Sequence, residues 1–205
     1  MGMPDHFAKA PSITVHDGLA EFLGSAENGR IRYEFADAVR LTGHACPTVA
    51  GAWLMAHAAL RALYPDGPAE RGDIEVAMSA CEDEGTTGVI AQVFTLVTGA
   101  AASNGFHGIG GNHVRQDLLS FGHAEEDSIA TFRRRDNGAA VAVSMDLSTV
   151  PSPPHMKPLM MQALAGDSTV ETRQAFVQAW QDRVRRLLVE HANDPEVIRV
   201  RACAT

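Results

Sequence analysis

Gly43-His44-Ala45-Cys46-Pro47-Thr48-Val49-Ala50-Gly51-Ala52-Trp53 carries the chain out of one predicted helix and into the next. The following run decides the second helix. Val49, Trp53, Leu60 and Tyr64 recur at helical spacing, so a helix is expected over 47–64. Proline suits the first helical position, where its missing N–H costs nothing, and Pro65-Asp66-Gly67-Pro68 stops the run. Cys46 then becomes the N-cap, with its sulfur facing free backbone N–H groups at the positive end of the helix dipole. Thiolate is favoured there, and thiolate is the species that binds a metal or attacks an electrophile. His44 and Cys46, two residues apart in a turn, can converge on one divalent ion. The bland alternative is a small buried cysteine with an incidental neighbour.

Outward from this element, residues 1–14 read as a loose lead-in, His16–Gly24 as a short helix with Leu19, Phe22 and Leu23 on one side, and 33–40 as another helix. Alternation of Ile74, Val76 and Met78 predicts a strand over 73–80, with Cys81 at its end. Val89, Ile90, Val93, Leu96 and Val97 predict a helix over 86–98 closed by Gly99, although their β-branched content also suits a buried strand. A glycine-rich loop follows over 99–113. Asp136-Asn137-Gly138 predicts a hairpin turn between strands 128–135 and 139–146, with Arg133-Arg134-Arg135 as its solvated end. Four prolines make 150–158 a surface connection. Ser168-Thr169-Val170-Glu171 reads as a capping box opening a long helix, with Phe176, Val177, Trp180, Val184, Leu187 and Leu188 as its buried stripe. A closing strand is expected over 197–202. Helices and strands mix without a regular βαβ alternation, so the fold class is α+β: one domain, a mixed or antiparallel sheet packed with helices.

The chain has 205 residues and a formal charge of −8, which disfavours nucleic acid and anionic membranes as partners. Its two lysines, Lys9 and Lys157, leave no phosphate-binding P-loop and no good Schiff-base candidate. There is no signal peptide pattern and no apolar run of about 18 residues. Cys46, Cys81 and Cys203 form no disulfide framework, so a reducing cytoplasm is the expected location. No Gly-x-Ser-x-Gly elbow and no Cys-x-x-Cys pair is present.

Three further features compete for a role. Cys81-Glu82-Asp83-Glu84 offers ligands or a base, or is a solvated acidic turn. His107 and His113, in the glycine-rich loop, offer imidazoles for a metal shell, while the loop N–H groups offer anion binding; most such loops are turns. His57 reads as a core histidine. His155, Met156, Met160 and Met161 suggest copper only faintly and fit a loop and helix start better.

At Gly43-His44-Ala45-Cys46-Pro47, entering an apolar helix, the chain resembles the FmdE family, named for its association with formylmethanofuran dehydrogenase, over roughly residues 30–150. The resemblance implies a compact α+β domain, often a homodimer, that binds a divalent metal such as zinc, with nickel or another transition metal as alternatives. Family members outside methanogens are of largely unassigned activity, some near molybdenum- or tungsten-enzyme functions. His44 and Cys46 match the motif, and Cys81 stands where the family often places a cysteine after a strand. The departures are Thr42 in place of histidine, Thr48 in place of glycine after Pro47, a longer segment between Cys81 and Thr98, and Ala100 where a further cysteine often follows Thr98-Gly99. A cysteine-rich treble-clef tail is absent. His107 or His113 is the expected substitute for the missing cysteine. On this reading 1–30 is the lead-in, 31–150 the metal-binding core, and 151–205 a long helix and closing strand packed on the same domain.

Three functions follow. The first is a metal-binding protein with His44, Cys46, Cys81 and a loop histidine as ligands and room for a small-molecule substrate at the metal. The second is a metal-independent enzyme with Cys46 as nucleophile and an adjacent histidine as base. The third is a non-catalytic assembly protein.

Overall fold

The computed structural model describes residues 2–204. Its order is β1 (Ile13–His16), α1 (Gly18–Phe22), β2 (Arg30–Tyr33), α2 (Phe35–Thr42), α3 (Pro47–Leu63), β3 (Ala69–Glu70), β4 (Ile74–Met78), α4 (Thr87–Thr98), β5 (Leu119–Phe121), β6 (Ala130–Arg134), β7 (Ala140–Met145), α5 (Met156–Leu164), α6 (Val170–Arg185) and β8 (Ile198–Ala202). The strands form two mixed sheets, β2-β1-β3 and β5-β4-β6-β7-β8, in which β1–β3 and β4–β5 run parallel. The α+β expectation holds.

The apolar run after Pro47 becomes the central helix. Val49, Ala50, Ala52, Trp53, Leu54, Met55 and Ala56 of α3 are all fully buried, as expected of a helix that is apolar on every side. It packs on α4 and on β7 and β8 of the larger sheet. Gly51 permits this approach, since a Cβ there would lie 1.8 Å from the Met145 sulfur. Helix α4 forms as its periodicity predicts and ends at Gly99 with φ +73°. The hairpin also forms, with Asn137 Oδ1 accepting from the Ala139 N–H at 2.9 Å.

The N-terminal expectation fails. The described part of the lead-in is not loose: Asp5–Lys9 is a short 3-10 helix, and its buried Phe7 packs edge-on against Phe35 at 5.0 Å. The Trp53 indole donates to the Pro11 carbonyl at 2.8 Å. His16 ends β1 instead of starting a helix, because Asp17 is the helix N-cap, accepting from the Leu19 and Ala20 N–H groups. Phe22 and Leu23 of that helix are exposed, at 66% and 58%.

Two further corrections concern the second half. Arg134 is not simply solvated: its guanidinium lies 4.1 Å from the Tyr64 ring centre and donates to the Leu63 carbonyl, tying the hairpin to the end of α3. In α6, Val184 is buried but Val177 is exposed, because the first half of that helix pairs mainly with α5. Leu187 and Leu188 are fully buried in the widened π-turn that continues α6.

Candidate functional site

Helix α2 ends at Gly43, whose φ of +75° is the left-handed C-cap conformation that glycine adopts without a Cβ clash. The turn beyond it is held from three sides. The Thr42 hydroxyl lies 2.9 Å from the Ala38 carbonyl and 3.0 Å from the His44 carbonyl, its one proton shared between them. His44 Nδ1 lies 2.9 Å from the Thr42 carbonyl oxygen. A carbonyl only accepts, so Nδ1 carries the proton and Nε2 of the neutral ring keeps its lone pair. This is the usual outer-shell arrangement of a metal-ligating imidazole. Third, Trp180 Nε1 donates to the Ala45 carbonyl at 2.9 Å, reaching from α6 across 135 residues of sequence.

Cys46 is the N-cap of α3, as its place before Pro47 predicts, and its sulfur accepts from the Val49 N–H at 3.4 Å. His44 is exposed and Cys46 half-buried.

The other expected ligands lie elsewhere. Cys81 is exposed in the acidic turn between β4 and α4. Its neighbour Glu82 shares a cleft of about 390 Å³ with Leu41 of α2, Arg71, Gln92, Asn104 and Phe121. That cleft therefore opens between the Cys81 turn and the end of the helix that leads to His44. His107 is exposed in the glycine-rich loop. His113, at φ +59°, stacks on Phe22 at 6.0 Å and lines a separate cavity beside Arg71 and Arg115. Among the described residues no three His, Cys, Asp or Glu side chains come together in a group that could hold a metal ion. Within one chain, His44 and Cys46 are thus not joined by Cys81, His107 or His113 in a complete shell.

The strongest polar cluster has no signature in the sequence. Asp17 is 3% exposed and accepts four hydrogen bonds: from Leu19 and Ala20 N–H, from Arg71 Nη1 at 2.8 Å and from Arg115 Nη2 at 2.8 Å. Burial pushes its carboxyl up, but the Arg71 hydrogen bond, the Ala20 N–H and the Arg115 charge together hold it below the ordinary aspartate value. Arg71 also donates from Nε and Nη2 to the Leu96 carbonyl, at the end of α4. The cluster joins β1–α1, the segment after β3 and the loop beyond α4. Its members lie 54 and 98 residues apart, so no local pattern announces them.

No helix among the described residues is long and apolar enough to cross a membrane. A comparison with curated proteins finds no match. The family model described as "FmdE, Molybdenum formylmethanofuran dehydrogenase operon" matches residues 41–194, from the end of α2 to just before β8. It takes in the His44–Cys46 turn, both long core helices, the hairpin and Trp180. On that match, which spans about three-quarters of the sequence, the chain belongs to the FmdE family.

Proposed function

We propose that this FmdE-family chain binds a divalent metal, zinc before nickel, through His44 Nε2 and Cys46 Sγ. The observation that carries the reading is the His44 Nδ1–Thr42 carbonyl contact, which leaves Nε2 as the free donor two residues from a helix-capping sulfur. An imidazole nitrogen and a thiolate are donors that suit zinc, which supports this reading.

Two donors do not fill a tetrahedral shell. The remaining positions fall to a second copy of the chain in a homodimer, with Cys81, His107 and His113 as candidate donors, or to solvent and substrate. An ion with an open position would polarise a bound carbonyl or activate water. The cleft beside Leu41 and Glu82, part apolar and part amide-lined, offers a place for a small-molecule substrate. The chain's own residues supply orientation: Thr42 fixes the imidazole, Trp180 fixes the turn, and the first turn of α3 holds the sulfur. A cytoplasmic setting, where Cys46 stays reduced, agrees with this role, as does service beside a redox or molybdenum enzyme.

Metal analysis of tag-free protein, with zinc affinity measured by chelator competition, tests the reading. Bound stoichiometric metal that is lost in Cys46→Ser and His44→Ala is the expected result. Unchanged zinc affinity in Cys46→Ser would sink it. Metal-free protein whose Cys46 is rapidly alkylated would favour the nucleophile reading instead.

A further inference from the structure

Arg115 is 7% exposed, yet its Nε is buried without a hydrogen-bond partner in the protein. Asp17 does not reach it: Oδ1 accepts from the Leu19 and Ala20 N–H groups and from Arg115 Nη2, and Oδ2 accepts from Arg71 Nη1. Arg71 and Arg115 therefore share one buried carboxylate, two positive charges against one negative. The other carboxylates at the same place have partners of their own. Glu70 is 2.7 Å from His16, and Asp73 is 3.7 Å from Arg135.

Arg115, Arg71 and Arg135 line one cavity of about 200 Å³ together with the carboxylates Glu70 and Asp73 and with His113, Val114, Gly18 and Gly72. Its floor is bare backbone. A Cβ on Gly72 would lie 1.0 Å from Arg115 Nη1, and one on Gly18 would lie 3.4 Å from the His113 ring. Side-chain-free backbone lets a guanidinium lie flat against the chain. The volume lies under the roughly 300–1,000 Å³ of sites for drug-sized ligands, so the occupant is small. Guanidinium groups take oxyanions by charge-assisted, often bidentate hydrogen bonds.

We propose that this cavity, walled by Arg71, Arg115 and Arg135, binds a small oxyanion, a carboxylate or inorganic phosphate. The site is separate from the His44–Cys46 turn and does not depend on metal there. Its anion balances the positive charge that the single carboxylate of Asp17 leaves over on Arg71 and Arg115.

The test uses the whole wild-type chain labelled with nitrogen-15. Inorganic phosphate and acetate are titrated in parallel at constant ionic strength, with chloride as the control, while the arginine side-chain N–H signals are followed. The expected result is a saturating shift of the Arg115 Nε–H signal with phosphate, acetate or both. Saturation by acetate alone assigns the carboxylate class, and by phosphate alone the inorganic ion. Arg115→Lys keeps a cation for Asp17 and should weaken binding about tenfold or more; Arg135→Gln, at the partly exposed rim, should weaken it several-fold with the fold intact. A response that stays linear, or is matched by chloride, overturns the proposal. So does saturable binding left unchanged by Arg135→Gln, since the ion would then sit elsewhere.

Discussion

The Trp180 indole N–H donates to the Ala45 carbonyl at 2.9 Å, so the C-terminal helix holds the turn between His44 and Cys46. Phe176, one turn earlier, backs the indole at 5.6 Å between ring centres. The helix thus helps to shape the His44–Cys46 turn.

Trp180→Phe keeps most of the apolar contact and removes the donor. The loss of one hydrogen bond should cost about 1 kcal/mol of stability, read by urea unfolding. Zinc affinity, read by chelator competition, should fall by about tenfold or more, as for other groups that orient a ligand. A stability loss with unchanged zinc affinity would confine Trp180 to packing.

Asp17→Ala leaves the buried Arg115 and the part-buried Arg71 without their carboxylate, and should destabilise the chain by about 3–5 kcal/mol. The pH dependence has a definite sign. Because the folded-state value of Asp17 is lowered, its contribution is complete above the ordinary aspartate value of about 4 and is lost as the pH falls through the lower folded value. Wild-type protein should lose stability steeply on that acid limb, and Asp17→Asn should flatten it. Chemical unfolding at a series of acidic pH values measures both.

His16 runs the other way. The hydrogen bond to Glu70 raises its value, burial opposes this, and Glu21 adds to the rise. Its contribution is complete below about 6.5 and is lost as the pH rises through the raised folded value. Both carboxylates are half-exposed, so the effect is under about 1 kcal/mol. His16→Gln should lower stability at pH 6 and approach wild type in alkali; equal destabilisation at both would contradict it.

Gly72→Ala introduces a Cβ where the Arg115 guanidinium lies and forces a side chain onto φ +90°. The two effects together should cost about 2 kcal/mol or more in thermal or urea unfolding. Gly67→Ala, with nothing within 4 Å of its Cβ, is the control and should change little.

The elements that can be read from the chain are those whose local pattern and tertiary role agree. Helix α3 is apolar on every side because it is central, and α4 and the 130–145 hairpin carry their periodicity and turn residues openly. The short strands are hidden. β1, β2, β3 and β5 have two to four residues each, and Arg30-Ile31-Arg32-Tyr33 reads as polar chain until it pairs with Ile13–His16. Helix α5 is masked by the prolines around it. Cys46 as N-cap is legible because Pro47 marks the first helical position; Trp180 is legible only as an apolar contact, since nothing local says where its N–H will go.

By itself, then, the sequence determined the fold class, the helical core and a capped cysteine two residues from a histidine, all set by period, turn chemistry and nearest neighbours along the chain. Only the tertiary structure decided which groups meet. It sent Trp180 to Ala45, gathered Asp17, Arg71 and Arg115 from 98 residues of chain, and set His113 beside that cluster instead of beside Cys46. The physical reason is the same in each case. A buried donor or charge must find its partner somewhere, and the partner is chosen by how helices and sheets pack, which no local stretch of residues encodes.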